Sequence, residues 1–256
     1  HGSFLSLRSW RHVMQPLSAA ATVVACDRPV CGLTSRPLPH GKDASLYSAE
    51  AQSDLVADLI PALGFERAVL VGHSTGGTIA VLTALRHPPR VSGLVLVGAM
   101  IYSGYATSQV PAPVLALMKR FKPAFTRLMR LMIDKLYAPA MRKFWYRQER
   151  FPDATLATYK ADFMLGPWDQ AFIELFLATR HLGLERLVPD LRLPTLVVTG
   201  EHDRAVKPDE SRRLAQEIPG AELLVVPDCG HLPHEETPAA FIDAVQVFLR
   251  RSHLVA

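Results

Sequence analysis

Ala68-Val69-Leu70-Val71-Gly72-His73-Ser74-Thr75-Gly76-Gly77-Thr78 is the stretch from which the fold is read. The apolar run Ala68 to Val71 leads directly into Gly-His-Ser-Thr-Gly, and an apolar helical pattern begins near Thr78. In a G-x-S-x-G corner between strand and helix, the glycines are required because a Cβ would clash where the two elements converge, and the turn lifts the serine above the strand end. Glycine and serine are common in ordinary loops. Placed between a buried strand and a helix, Ser74 reads as a nucleophile.

Working outward, similar apolar runs occur at Thr22 to Cys26, Leu94 to Val97, Thr195 to Val198 and Leu223 to Val226. They lack the in-out alternation of a sheet with one wet face, so the expectation is a parallel sheet covered on both sides. Helical spacing lies between them: Leu55, Val56, Leu59, Ile60 and Leu63 recur at that period, as do Phe241, Val245, Phe248 and Leu249. Thr237-Pro238 reads as an N-cap and first helical residue, and Pro208 with Asp209 and Glu210 opens another helix. The class is α/β, with a mostly parallel sheet flanked by helices. Alternation stops between about Ile101 and Pro189, where proline-punctuated helical segments rich in Leu, Met and aromatics carry no strand-like run. The expected division is a core of residues 1–100 and 190–256 with a helical cap, 101–189, inserted between sheet strands.

The 256 residues, 49% hydrophobic and 20% charged, exclude a disordered or fibrous chain. No apolar stretch approaches the roughly 20 residues of a membrane-spanning helix, and no basic-then-apolar signal opens the chain. Cys26, Cys31 and Cys229 are odd in number and unpaired by spacing, against both a disulfide framework and a zinc site, so a reducing, cytoplasmic setting is expected. The net charge of +4 is local: residues 117 to 150 hold ten Lys and Arg against Asp134 and Glu149, a segment charge of +8 that leaves −4 for the remainder. That is no nucleic-acid face. A solvated surface is the plain reading of this segment, and attraction to anionic substrates or a lipid surface is the other.

A serine becomes nucleophilic through a base, and the base is oriented by a carboxylate. Two loops that leave strand ends supply candidates: Glu201-His202-Asp203 after Thr195 to Gly200, and Asp228-Cys229-Gly230-His231 after Leu223 to Pro227. In parallel sheets these C-terminal ends form the ligand crevice, so Ser74, Asp203 and His231 can converge. His202 and His234 compete with His231, and Asp228 competes with Asp203, although three residues from His231 is too near to reach the far ring nitrogen easily.

These motifs resemble those of the α/β-hydrolase superfamily, over nearly the whole chain. His1-Gly2 resembles its HG oxyanion loop, Asp27-Arg28-Pro29 with Gly32 its D-x-x-G-x-G-like loop, Gly72 to Gly76 its nucleophile elbow, Gly200 to Asp203 its acid loop and Gly230-His231 its histidine loop. The resemblance implies Ser74 as nucleophile, His231 as base and Asp203 as the orienting acid. It also implies an oxyanion hole made by the N–H of Thr75 with that of Ser3, or of Phe4. Val30-Cys31 departs from the Gly and aromatic usual in that loop. The family has strands ahead of the HG loop, whereas this chain begins at the motif, which reads as a piece of a longer sequence; Leu7-Arg8-Ser9-Trp10 continues as the family does, so His1-Gly2-Ser3 reads as native rather than as a tag.

Phe4, His73, Trp145 and Met132 are candidates for substrate contact, with ordinary packing as the alternative for each. The expected function is hydrolysis of small to medium, largely apolar carboxylic esters through an acyl-enzyme, with no cofactor and no metal. A carbon–carbon bond hydrolase with the same triad and a catalytically silent binding relative are the other readings.

Overall fold

The computed structural model describes residues 1–38, 46–104, 108 and 110–255. Its elements in chain order are α1 (Met14–Ser18), α2 (Ala49–Ala62), β1 (Ala68–His73), α3 (Thr75–Arg86), β2 (Val91–Val97), α4 (Ala112–Arg120), α5 (Lys122–Arg142), α6 (Asp153–Phe163), α7 (Trp168–Ala178), β3 (Thr195–Gly200), α8 (Pro208–Glu217), β4 (Glu222–Val226), α9 (Pro233–Glu236) and α10 (Pro238–Arg251). The strands form one sheet in the order β1-β2-β3-β4, every pair parallel. In β2, Leu94, Val95, Leu96 and Val97 are fully buried, the state expected of a central strand covered on both faces, and each such side chain contributes about 1.5–3 kcal/mol relative to exposure.

Two apolar layers sandwich the sheet. Leu94, Leu96 and Val197 face one with α3 and α8, while Val95, Val97, Leu196 and Val198 face the other with Trp10, Phe241, Val245 and Phe248. The period-two split of β2 between the layers is the pleat itself. In α10 the inward residues are the helical-period set Phe241, Val245, Phe248 and Leu249.

Three expectations are corrected. Thr22 to Cys26 belongs to no strand: among the described residues no neighbour pairs with it, although Val23 and Ala25 pack against the second layer. The helix after Ser74 starts at Thr75 rather than near Thr78. Thr237 does precede Pro238 at the start of α10, but its hydroxyl donates to the Pro233 carbonyl at 3.2 Å and caps nothing.

Between β2 and β3 the described residues are helical or irregular, without a strand. Helices α5, α6 and α7 share an aromatic core in which Tyr137, Phe151, Tyr159, Phe163, Trp168 and Phe172 are buried together with Leu5 and Leu232 of the chain around the sheet. The insertion is thereby seated over the C-terminal ends of the strands, where the loops carrying Ser74, Asp203 and His231 emerge. Among the described residues no helix is long and apolar enough to cross a membrane, and no group of His, Cys, Asp and Glu is arranged to hold a metal ion.

Candidate active site

Ser74 joins β1 to α3 with φ 53° and ψ −121°, a backbone conformation that an L-residue adopts only when its surroundings impose it. The imposition is visible. The Ser74 N–H donates to Val97 O at 2.9 Å, and Ser74 O accepts from Met100 N at 3.1 Å, which fixes the corner to the end of β2. At Gly72 a Cβ would lie 2.6 Å from Gly76 O and 2.7 Å from Gly77 Cα, so only glycine lets strand and helix meet this closely.

Asp203 follows β3, and His231 follows β4. His231 Nδ1 lies 2.7 Å from Asp203 Oδ2, and both side chains are buried. The other carboxylate oxygen, Asp203 Oδ1, accepts the N–H groups of Ala205 at 2.8 Å and Val206 at 2.9 Å, which leaves Oδ2 aimed at the imidazole. A carboxylate can only accept, so the contact places a proton on Nδ1 and leaves the Nε2 lone pair free of it. The rivals are placed elsewhere. His202 is exposed and stacks on Tyr146 with ring centres 4.0 Å apart, Asp228 is exposed, and His234 is fully buried against Trp10 at 4.3 Å.

His73, next to Ser74, hydrogen-bonds through Nε2 to the His231 carbonyl at 2.9 Å, and its ring lies 4.5 Å from the His231 ring. The Ser74 corner and the loop carrying His231 are therefore joined by one imidazole. Burial holds His73 and His234 well below the usual histidine range, so both stay neutral beside the Asp203–His231 pair.

The loop of residues 2–4 closes over the corner. A Cβ on Gly2 would sit 2.9 Å from Ser74 Cβ, and Ser3 Oγ lies 3.1 Å from Thr75 Oγ1. Thr75 is the first residue of α3, so its N–H has no carbonyl a turn earlier in the helix to accept it, whereas those of Gly77 and Thr78 donate to Ser74 O. Phe4 has φ 65°, and its carbonyl accepts from Tyr137 Oη at 2.6 Å. Its ring packs on Phe163 and Phe172 at 5.3 and 5.5 Å. Trp145 is buried and stacks face to face on Phe151 at 4.8 Å. Met132 stands half-exposed on α5, where Met129 and Ile133 enter the aromatic core instead.

Two features escape the sequence. Arg28 donates to Thr75 Oγ1 at 2.7 Å and grips Gln52 Oε1 through Nε and Nη2 at 3.0 and 2.9 Å, bracing the start of α3. Glu236 accepts the N–H groups of Tyr146 at 2.8 Å, Gly230 at 3.1 Å and Leu232 at 3.2 Å, while His231 N–H donates to Phe144 O at 2.6 Å. The loop carrying His231 is thus tied on both sides of that residue, and also to residues 144–146 of the insertion. The only sequence signal was an acidic pair, Glu235-Glu236, within an apolar neighbourhood. Cys229 is buried, which pushes its thiol up to about 12, so it carries no thiolate near neutrality.

A sequence model for the alpha/beta hydrolase fold family matches residues 1–238. The chain belongs to the alpha/beta hydrolase fold family. This hydrolase is 31% identical over 247 residues to 2-hydroxy-6-oxo-2,4-heptadienoate hydrolase of Pseudomonas putida, covering 94% of this chain and 83% of that protein. It is 31% identical over 217 residues to an sn-1-specific diacylglycerol lipase of Mus musculus, covering 82% and 67%. Among solved structures, a thermophilic esterase from Thermogutta terrifontis superposes with a TM-score of 0.77 at 25% identity, covering 99% of this chain and 88% of that one.

Proposed function

We propose that the protein is a serine hydrolase that cleaves small to medium, largely apolar carboxylic esters through an acyl-enzyme on Ser74. The observation that carries the reading is the buried 2.7 Å contact between His231 Nδ1 and Asp203 Oδ2, one neighbouring imidazole away from the strained Ser74 corner. His231 Nε2 takes the Ser74 proton as the hydroxyl attacks the ester carbonyl. Asp203 holds the ring's orientation and stabilises the imidazolium; it does not itself take up the proton. The tetrahedral oxyanion is received by the N–H of Thr75, at the positive end of α3, together with that of Ser3. His231 then returns the proton to the leaving alcohol, and water deacylates the serine by the same steps in reverse roles. Each oxyanion donor is worth about 2.7–4 kcal/mol in the transition state. Helices α4–α7 serve as the cap, and the aromatic core around Phe4 and Phe172 supports an apolar substrate wall.

A second reading, carbon–carbon bond hydrolysis of a vinylogous diketone, is favoured by the likeness to the heptadienoate hydrolase. One experiment separates the two: kcat/KM for a p-nitrophenyl ester series from acetate to palmitate, measured beside a 2-hydroxy-6-oxo-dienoate, with Ser74→Ala as the blank. Saturable, Ser74-dependent ester turnover that exceeds dienoate cleavage is expected. The opposite ranking selects the second reading, and ester turnover undiminished in Ser74→Ala removes Ser74 from the chemistry.

A further inference from the structure

We infer that the outward flank of α4 and α5 is a docking surface for an anionic lipid bilayer. Helix α5 turns Met129, Ile133, Tyr137 and Met141 toward α6 and α7. On the outward side of the two helices Leu117, Phe121, Leu128, Leu131, Met132 and Leu136 are each 50 to 54% exposed. A patch of large apolar side chains concentrated on one helix pair is uncommon on a surface that only meets water. Scattered single residues would need no explanation; these recur along one flank.

The charges beside the stripe identify what covers it. In this segment Lys122 pairs with Glu174, Arg130 with Asp169, Arg142 with Asp153, and Asp134 with Lys160. Lys119, Arg120, Arg127, Lys135 and Lys143 have no ion-pair partner among the described residues. Five uncompensated cations interleaved with a half-exposed apolar stripe suit an interface where hydrocarbon lies beneath anionic headgroups. The apolar side chains enter the headgroup and acyl boundary, while Lys and Arg extend along their stems to the phosphates. A second copy of this chain fits poorly, because a two-fold axis through the flank would set the five cations against five more. Nucleic acid would leave the apolar stripe in water or against phosphate.

The stripe also leads somewhere. Its last member, Leu136, lines a cavity of about 550 Å³ with Pro139, Ala140, Phe144 and Arg204, and the Phe144 ring is 5.4 Å from the His231 ring. A bilayer against this flank would lie beside the mouth of that cavity. Docking itself does not depend on the chemistry at Ser74, so it stands or falls separately from the ester reading.

The test is co-sedimentation of the full chain with sucrose-loaded vesicles, either of phosphatidylcholine alone or of an equimolar mixture with phosphatidylglycerol. Binding to the mixed vesicles and not to the neutral ones is expected, with release at about 1 M salt, where the screening length falls to about 3 Å. Arg127→Gln and Lys135→Gln should each weaken partitioning about fivefold, the equivalent of about 1 kcal/mol per cation. Leu128→Ser combined with Leu131→Ser should abolish it, whereas Ser74→Ala should bind as the parent does. Equal sedimentation with both vesicle types, or none with either, overturns the inference. So does a dimer in sedimentation velocity that the Leu128→Ser and Leu131→Ser pair dissolves, since a second copy would then be the occupant.

Discussion

Gly98 lies directly against His231: a Cβ at Gly98 would be 3.0 Å from His231 Nδ1, and also 3.0 Å from Asp203 Oδ2. Gly98 follows β2 with φ +48°, and its N–H is held by Val198 O at 2.8 Å, so the backbone has no room to withdraw. The end of the central strand is therefore the floor on which the acid and imidazole meet. Gly98→Ala should push the pair apart. Misplacement on the scale of an ångström costs about 100-fold in rate, so kcat should fall by about that factor while the protein still folds. Activity together with a thermal melt checks this, and an active Gly98→Ala protein would show that the pair tolerates the intrusion.

Glu236 should behave as a positioning residue for His231. Its carboxylate accepts three backbone N–H groups, two of them from the residues flanking His231. Glu236→Gln puts an amide NH2 where an acceptor is needed and faces donor with donor, which typically costs about 1–3 kcal/mol for the group left unpaired. The expected result is a lower kcat with KM little changed, and a shifted acid limb of the pH–rate profile as the imidazole loses its fixed setting. A purely structural role would lower the melting temperature and leave that profile where it was.

The sheet was legible because β2 and β3 are apolar on both faces, and continuous runs such as Leu94 to Val97 admit few other readings. The placement of the candidate residues was legible for a related reason: Ser74, Asp203 and His231 each follow a strand end, and the topology of a parallel sheet gathers those ends. Thr22 to Cys26 misled because composition reports strand propensity, while a strand also needs a neighbour with which to bond, and none is described. At Met132 helical spacing alone does not reveal which flank of α5 meets α6 and α7; a shift of one position separates inward Ile133 from half-exposed Met132. Beyond the acidic pair Glu235-Glu236 nothing pointed to the contact of Glu236 with the Tyr146 N–H, since it joins the insertion to α9 across 90 residues of sequence.

Glu235 should make stability fall as pH rises. Its carboxyl is buried with Tyr159 and Arg11, and burial pushes it up to about 7 from an ordinary 4.5. Between those values the folded state holds a proton that the unfolded state has released, so stability declines from about pH 4.5 to about pH 7 and is level beyond. The full difference is on the order of 3 kcal/mol, at about 1.4 kcal/mol per pH unit. Chemical denaturation at pH 5 and pH 8 should show Glu235→Gln gaining on the parent at the higher pH. A constant gap between the two would assign the proton elsewhere.

His234 should act in the opposite direction. It is fully buried, stacks on Trp10, and neither ring nitrogen has a hydrogen-bond partner among the described residues. Burial holds it well below 6.5, so below that pH the unfolded chain takes up a proton that the folded one refuses, and stability is lost as pH falls. His73 adds a second contribution of the same sign. His234→Phe keeps a ring against Trp10 and removes two unpartnered nitrogens, each costing about 1–3 kcal/mol when buried. The variant should melt at a higher temperature than the parent, with the advantage widening from pH 8 to pH 5. Because His231 keeps its own contact with Asp203, ester hydrolysis near neutrality should persist; its loss would mean that His234, rather than His231, serves as the base.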